Sequence, residues 1–138
     1  MIVGIGTDLC RVSRVRHSLD RFGDTFARTY CSPREIEYAK RQLNPAIAFS
    51  QCLAPKEAFA KAAGTGFNSD MWWDDVETNI ADNGPSRLLI SADAASLLKS
   101  KFEAPDGIRV HVSTCSTAVF CSAFVVIERL IAGSEPPR

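Results

Sequence analysis

Residues 49–67, FSQCLAPKEAFAKAAGTGF, predict a long helix around which the rest of the chain is organised. The second half of this stretch is rich in Ala, Lys and Glu, which are strong helix formers. Asn44 followed by Pro45 predicts the N-cap and the first turn, and Gly64-Thr65-Gly66 predicts the end of the helix. One side of the helix carries small residues at helical spacing, which allow a strand or a ligand to come close: Ala54, Ala58 and Ala62.

Glu57 and Lys61 are four residues apart and therefore share a face of this helix. Two interpretations are open from the residues alone. In the first, the two side chains form a surface ion pair that contributes roughly a few tenths of a kcal/mol. In the second, the carboxylate binds a metal ion and the ammonium binds a phosphate beside the glycine-rich turn.

The chain begins with a predicted buried strand, IVGIGT, over residues 2–7. Gly4 and Gly6 leave one face of this strand without side chains, so that another backbone or a ligand can approach it closely. Asp8 follows at the predicted C-terminal end of the strand. It is interpreted either as the N-cap of the next helix or as a metal ligand.

Residues 11–22 predict an amphipathic helix whose inner face carries Val12, Val15, Leu19 and Phe22. Its outer face carries a basic stripe that consists of Arg11, Arg14, His17 and Arg21. The stripe is either a solvated charged face or a docking surface for an acidic partner. His17 has no candidate metal partner nearby in the sequence and is interpreted as a surface residue.

Composition predicts an ordinary globular protein of one domain, residues 1–131, with a C-terminal tail, residues 132–138. The 138 residues include 16 basic and 16 acidic side chains, a balance that does not favour nucleic-acid binding. Five cysteines without a CxxC spacing argue against a disulfide framework and against the usual zinc site. With no apolar run of membrane-spanning length and no signal-peptide pattern, we expect a reduced, cytoplasmic protein.

The remaining elements place this domain in the α+β class. Further helices are predicted over residues 23–30 (or a turn), 33–41 and 92–101, with Ser32 and Ser91 as N-caps. Strands are predicted over residues 76–81, 87–90, 108–115 and 118–128, with a turn at Asn83-Gly84-Pro85 and a hairpin around Ser116-Thr117. The order of elements predicts a mainly antiparallel sheet packed against helices, one of them long and central.

Several segments, taken in order, resemble the holo-acyl-carrier-protein synthase family, the short 4'-phosphopantetheinyl transferases. The matching segments are IVGIGTDL at the start, RFG (residues 21–23), SPREIEY (32–38), KEAFAKAAGTG (56–66), WWDDVE (72–77) and HVS (111–113). The resemblance covers residues 2 to about 129. It implies the phosphopantetheinyl transferase fold and an active site between the protomers of a homotrimer.

The resemblance also implies an activity, which is transfer of the phosphopantetheine arm of coenzyme A to a serine of an apo acyl carrier protein, with release of adenosine 3',5'-bisphosphate. Carried over by position, Asp8 and Glu57 would bind Mg²⁺, and these two residues with Lys61 would form the catalytic set. The residues implied for coenzyme A are Lys61, Gly64, Thr65, Gly66, Pro85 and Ser116. The backbone N–H groups of the glycine turn would contact a phosphate, and Arg14 and Arg21 would dock an acidic carrier protein.

The sequence departs from the family pattern at two basic positions. Cys52 stands where the family has an arginine near the nucleotide phosphates, and Ser116 stands where it has a histidine. Pro55 inside the central helix is also expected to remove a backbone hydrogen bond and to kink the helix. His111 is interpreted as an ordinary strand residue. These departures leave open an alternative function, that of a diverged, non-catalytic homologue that binds carrier protein or coenzyme A.

Overall fold

The computed structural model describes residues 1–80 and 86–133 of the chain. Five helices are present in these residues: α1 (Val12–Phe22), α2 (Asp24–Tyr30), α3 (Pro33–Arg41), α4 (Pro45–Ala63) and α5 (Ala92–Lys101). Five strands accompany them: β1 (Ile2–Arg11), β2 (Val76–Asn79), β3 (Arg87–Ile90), β4 (Ile108–Ser116) and β5 (Phe120–Arg129). A 3₁₀ helix, Trp73–Asp75, precedes β2. The predicted turn Asn83-Gly84-Pro85 lies outside the described residues.

The strands form two antiparallel sheets. The larger sheet has the order β1-β5-β4, and the smaller one pairs β2 with β3. In the larger sheet Asp8 lies opposite Ala123 on β5, and Ser113 on β4 lies opposite Phe124. The predicted α+β class is therefore confirmed, with the strands divided between two sheets.

The helix starts follow the predicted capping residues. The Ser32 hydroxyl accepts the N–H of Glu35 at 3.2 Å, while the Glu35 carboxylate accepts the N–H of Ser32 at 2.7 Å, which completes a capping box. Asn44 accepts the N–H of Ile47, and Ser91 accepts the N–H of Ala94. These local signals are confirmed because each requires only residues that are adjacent in the chain.

Helix α4 lies directly on β1, at the position of the two glycines. A Cβ atom on Gly4 would lie 2.2 Å from the carbonyl oxygen of Ala62, and one on Gly6 would lie 2.0 Å from that of Ala58. The bare face of the strand is therefore covered by the chain's own helix. Of the two alternatives predicted for this face, close approach of another backbone is confirmed, because no space for a ligand remains between the two backbones.

Helix α4 is buried on nearly all sides, which explains its apolar composition. One side belongs to the main core with β1, β5 and α5, and the other packs in a second cluster with α1, α2 and α3. The helix continues from Pro45 through Pro55 to Ala63, so the proline does not end it. Pro55 has no N–H, so the carbonyl of Gln51 cannot form the usual helical bond to it.

Three predicted details of the N-terminal region are corrected. Strand β1 continues to Arg11, so Asp8 lies inside the strand and the N-cap of α1 is Arg11. The interpretation of Asp8 as a helix cap is therefore wrong. Phe22 is 54% exposed and is not part of the inner face of α1, where Val12 and Val15 are buried. Among the described residues, no helix is long and apolar enough to cross a membrane.

Candidate active site

Asp8 and Lys61 are brought together where α4 crosses β1. The Nζ atom of Lys61 lies 2.7 Å from Oδ1 of Asp8 and donates to the carbonyl oxygen of Thr7 at 3.0 Å. The Asp8 side chain is only 18% exposed, whereas that of Lys61 is 53% exposed. Lys61 therefore pairs with the strand carboxylate 53 residues away, and the predicted surface pair of Glu57 and Lys61 is replaced by this long-range pair.

Glu57 lies one turn before Lys61 on α4 and lines the same pocket as Asp8. Burial raises the pKa of the Glu57 carboxyl, the negative charge of Asp8 raises it further, and Lys61 opposes this effect. A buried carboxylate whose ionised form is disfavoured by burial and by a neighbouring negative charge is typical of a site whose charge is balanced by a bound cation.

The donor set of this pocket fits Mg²⁺. Mg²⁺ binds proteins through one or two carboxylates and completes its coordination with water and substrate phosphate oxygens. Asp8 and Glu57 supply two carboxylates at one pocket, and in the described part of the chain no group of three or more His, Cys, Asp or Glu residues is arranged as an all-protein metal cage. Asp8 and Glu57 are the residues that would hold the ion.

The raised pKa of Glu57 leads to a prediction about the metal-free protein. Because the pKa of Glu57 in the folded protein lies above the ordinary value of 4.5, native Glu57 binds its proton more tightly than it does in the unfolded chain. The free energy of unfolding therefore falls as the pH rises from 4.5 through the folded pKa of Glu57. Glu57→Gln is therefore expected to increase the free energy of unfolding at pH 7 without metal, and the gain should disappear below pH 4.5. Denaturant unfolding at several pH values measures it.

The matched control is Glu103→Gln, which makes the same change at an exposed carboxylate. Added Mg²⁺ should raise the melting temperature of the wild type and of this control, and leave that of Glu57→Gln unchanged. A Glu57→Gln variant that is less stable than the wild type at pH 7 would contradict this prediction, because it would show that the ionised Glu57 does not destabilise the metal-free protein.

The pocket that contains both carboxylates has a volume of about 420 Å³ and combines charged and aromatic walls. Arg14 lines it from α1, while Tyr30 and Trp73 line it from the end of α2 and from the 3₁₀ helix. The two rings contact each other edge to face, with centroids 4.9 Å apart. Arg21, the other predicted docking residue, does not line this pocket and lies over the ring of Phe22.

A second concave surface, of about 640 Å³, adjoins the first at Asp8. Lys61 lines it together with Thr7, and Ser113 and Phe124 contribute from β4 and β5. Asp8 lines both surfaces, so the Asp8–Lys61 ion pair lies at the boundary between them. Two adjoining clefts that share the Asp8 carboxylate are suited to a reaction between two substrates.

The glycine turn after α4 is used to end the helix. Gly64 adopts φ of +63° and its N–H donates to the carbonyl oxygen of Lys61, while the N–H groups of Thr65 and Gly66 donate to that of Ala60. These N–H groups are already paired within the chain in this conformation. The assignment of Gly64, Thr65 and Gly66 to coenzyme A stays a prediction. Lys101 of α5 donates to the Gly64 carbonyl at 2.9 Å and places an ammonium at the turn.

The two departures from the family pattern have different surroundings. Cys52 is completely buried in the cluster between α4 and helices α1 to α3, so its thiol faces neither cleft. Ser116 is exposed at the end of β4, and its hydroxyl accepts the side-chain N–H of Gln51 at 2.8 Å. Its role in binding coenzyme A stays a prediction, and Pro85 lies outside the described residues.

The family model that matches the chain is the 4'-phosphopantetheinyl transferase superfamily, over residues 4–113. The chain belongs to this superfamily. This phosphopantetheinyl transferase is similar to the holo-[acyl-carrier-protein] synthases of Methylobacterium sp. (strain 4-46), with 38% identity over 94% of this chain and 96% of the relative, and of Methylorubrum populi, with 35% identity over 98% and 100%. The family resemblance inferred from the motifs is therefore confirmed.

Solved structures of the family share the fold of this transferase. The holo-[acyl-carrier-protein] synthase of Neisseria meningitidis superposes with a TM-score of 0.81 at 28% identity, covering 93% of this chain and 99% of the other. That of Bacillus anthracis, described in complex with CoA (3',5'-ADP), superposes with a TM-score of 0.75 at 28% identity, covering 94% and 99%. The predicted transferase fold is thus confirmed.

Sequence reasoning missed the residues that form the walls of the site. Tyr30 and Trp73 received no role, although WWDDVE was recognised as a family segment. Gln51, which binds Ser116, and Lys101, at the glycine turn, gave no local signal because their partners are 65 and 37 residues away. Only the packing of distant elements identifies them.

Proposed function

We propose that the protein transfers the 4'-phosphopantetheine arm of coenzyme A to a serine of an apo acyl carrier protein and releases adenosine 3',5'-bisphosphate. The single observation that carries this proposal is the cluster of Asp8, Glu57 and Lys61 at the junction of two clefts in a chain of this family. The relatives at 35–38% identity over nearly their whole length are holo-[acyl-carrier-protein] synthases, which supports the same activity.

The proposed reaction is a displacement at phosphorus. The serine oxygen forms a bond to the phosphorus that carries the pantetheine, the bond from that phosphorus to the bridging oxygen breaks, and adenosine 3',5'-bisphosphate leaves with the bond's electrons. Mg²⁺ held by Asp8 and Glu57 would neutralise charge on the diphosphate oxygens. Lys61, whose side chain is 53% exposed and pairs with Asp8, would supply a positive charge to the leaving group. Glu57, relieved of one contact to the metal, is a candidate to accept the serine proton.

The two clefts provide separate places for the two substrates. The larger one, on the Lys61 side, is lined by hydroxyl groups of Thr7, Ser113 and Thr114, which can bind phosphate oxygens. We assign coenzyme A to this cleft. The description of the Bacillus anthracis structure as a complex with CoA supports the choice of ligand.

The smaller cleft is assigned to the carrier protein. Arg14 and Arg11 line it with positive charge, and apolar side chains such as Leu53 and Phe26 line it deeper. An acidic helix that also presents an apolar residue would match this surface, since its carboxylates can pair with the arginines. The structure brings Arg14 to the cleft beside the carboxylates, which favours Arg14 over Arg21 as the principal docking residue.

Arg14→Glu is expected to raise KM for the apo carrier protein on the order of tenfold, about 1.4 kcal/mol, and to leave KM for coenzyme A unchanged. The change reverses a charge that faces an acidic partner. Steady-state kinetics with each substrate varied in turn measure both constants. The matched control is Arg16→Glu, which reverses an exposed charge on the same helix outside the cleft. If the two substitutions raise KM for the carrier protein equally, only the net charge of the helix matters, and Arg14 is not a specific docking residue.

We further propose that the protein is a homotrimer with active sites between protomers. The face of the large sheet opposite α4 supports this, because it exposes Ile5, Leu9 and Phe124 at 57%, 65% and 44%. Exposed apolar residues on one sheet face mark an interaction surface. Light scattering should give three times the protomer mass, and a monomer at assay concentration would refute the trimer.

The proposed location is the cytoplasm, in keeping with five free cysteine thiols.

Intact-mass spectrometry tests the proposed activity directly. Apo carrier proteins from fatty-acid, polyketide and peptide synthesis are incubated with the protein, coenzyme A and Mg²⁺. A mass increase of one phosphopantetheine group that is absent without metal is the expected result. No increase with any carrier, together with measurable binding of coenzyme A or carrier, would instead support the non-catalytic homologue. The replacement of two basic family positions by Cys52 and Ser116 is the observation that favours that second function.

A further inference from the structure

A buried ion pair lies directly behind the active-site pocket. Lys56, the residue before Glu57, has a side chain that is only 1% exposed, and its ammonium lies 2.8 Å from Oε2 of Glu35, which is equally buried. The ammonium also donates to the backbone carbonyl oxygens of Tyr30, at 2.9 Å, and Trp73, at 3.3 Å. The three hydrogens of the ammonium thus have three acceptors on three different elements.

Glu35 extends this network to two more segments. Its Oε2 accepts the backbone N–H of Ser32 at 2.7 Å, and its Oε1 accepts the backbone N–H of Thr78 at 2.7 Å. The Thr78 hydroxyl in turn donates to the carbonyl of Cys52 on α4 at 2.8 Å. The pair therefore connects the end of α2, the start of α3, the middle of α4, the 3₁₀ helix and β2.

The two carbonyls that Lys56 binds belong to two of the aromatic residues that line the pocket, Tyr30 and Trp73. Tyr30 and Trp73 line the cleft that also contains Glu57, and their rings are in edge-to-face contact. Trp73 also stacks on Phe67, with ring centroids 3.9 Å apart. One side chain, adjacent in sequence to a proposed metal ligand, thereby holds the backbones of Tyr30 and Trp73, the pair called the Tyr30–Trp73 wall below.

We propose that Lys56, with Glu35 as its counterion, is a positioning residue that sets the place of the Tyr30–Trp73 wall relative to Glu57 and so determines how well the cleft accepts the carrier protein. This inference rests on the proposed function for the identity of the ligand. Its structural part, the position of the wall, does not depend on that function.

Single and double substitutions of the buried Lys56–Glu35 pair can separate a role of Lys56 in positioning the wall from a role in stabilising the fold. Removal of one partner leaves an unpaired buried charge and is strongly destabilising, whereas neutral replacement of both partners is often tolerated. The double variant Lys56→Met with Glu35→Gln removes both charges and the ammonium that donates to the wall. The amide oxygen introduced by Glu35→Gln can still accept the N–H of Thr78.

The experiment compares Lys56→Met, the double variant and Lys40→Met, a control at a lysine that forms an exposed pair with Asp24. Lys56→Met is expected to lose about 10 °C or more in Tm, and the double variant should recover most of this loss. If Lys56 positions the wall, the double variant keeps a raised KM for carrier protein, on the order of tenfold, with an unchanged KM for coenzyme A. Lys40→Met should change neither constant.

A second readout does not require catalysis. In a Trp72→Phe background, incorporated 5-fluorotryptophan reports on Trp73 alone, and its ¹⁹F resonance should shift or broaden in the double variant and remain unchanged in the Lys40→Met control. A double variant that recovers the Tm, the carrier KM and the ¹⁹F resonance together would overturn the proposal. If the wild type itself transfers no phosphopantetheine, the proposed function fails, and the ¹⁹F resonance still decides whether Lys56 positions Trp73.

Discussion

Asp8→Asn is expected to lower the rate of phosphopantetheine transfer by about 10²–10³-fold and to remove its dependence on Mg²⁺. The substitution keeps the size of the side chain but removes a charge that the structure places at the junction of two clefts, against Lys61. Without that charge, the cation has only one carboxylate, that of Glu57, and Lys61 loses its ion-pair partner in the site. Initial rates at several Mg²⁺ concentrations measure the effect.

The matched control for this substitution is Asp20→Asn, an isosteric change at an exposed carboxylate on α1. The control should retain the wild-type rate and the wild-type response to Mg²⁺. Thermal unfolding tests whether Asp8 binds the metal or only pairs with Lys61. If Asp8 binds the metal, Mg²⁺ should raise the melting temperature of the wild type and not that of Asp8→Asn. Stabilisation by Mg²⁺ that persists in Asp8→Asn would show that Asp8 acts through Lys61 alone.

Gly6→Ala is expected to destabilise the fold by at least about 3 kcal/mol, a large share of the stability of a domain of this size. The new Cβ atom would lie 2.0 Å from the carbonyl oxygen of Ala58 and 2.5 Å from the N atom of Ala62. Both are backbone atoms of a buried helix and cannot rotate away, so β1 and α4 must separate. Since the same contact places Asp8 beside Glu57 and Lys61, activity should fall together with stability.

Thr7→Ala is the control for the glycine, because Thr7 is the exposed neighbour on the opposite face of the strand. Denaturant unfolding should give a change for Thr7→Ala within about 0.5 kcal/mol of the wild type, as is usual for surface substitutions. A Gly6→Ala protein with wild-type stability would mean that β1 and α4 can move apart without penalty. That result would refute the close packing on which the site geometry depends.

Features that depend on residues close in the chain were predicted well. The capping box of Ser32 and Glu35, the first-turn proline of α4 and the glycine at its end are each decided by hydrogen bonds within a few residues. The side of α4 formed by Ala54, Ala58 and Ala62 was also visible as a spacing of four, and the structure places β1 against the carbonyls of Ala58 and Ala62. The identity of the neighbour was not visible, since a strand and a ligand both require small residues.

Features that depend on partners far apart in the chain were missed or misassigned. Lys56 was given no role because a lysine on a helix is normally solvated, and only the convergence of Tyr30, Glu35 and Trp73 buries it. The N–H groups of the glycine turn donate to carbonyls at the end of α4, which the sequence did not predict. The length of β1 was underestimated because its pairing with β5, and not its own composition, carries the strand on to Arg11.

The order of motifs was enough to establish the family and to propose Asp8, Glu57 and Lys61 as the reactive set, since residue types at fixed spacing reflect the chemistry of a family. Folding decided which of these side chains meet. Lys61 contacts Asp8, 53 residues away, because two glycines let the strand lie against the helix. The buried Lys56 likewise binds the backbones of Tyr30 and Trp73, which come from two other elements. Contacts of this kind arise from the packing of distant elements, and no local pattern encodes them.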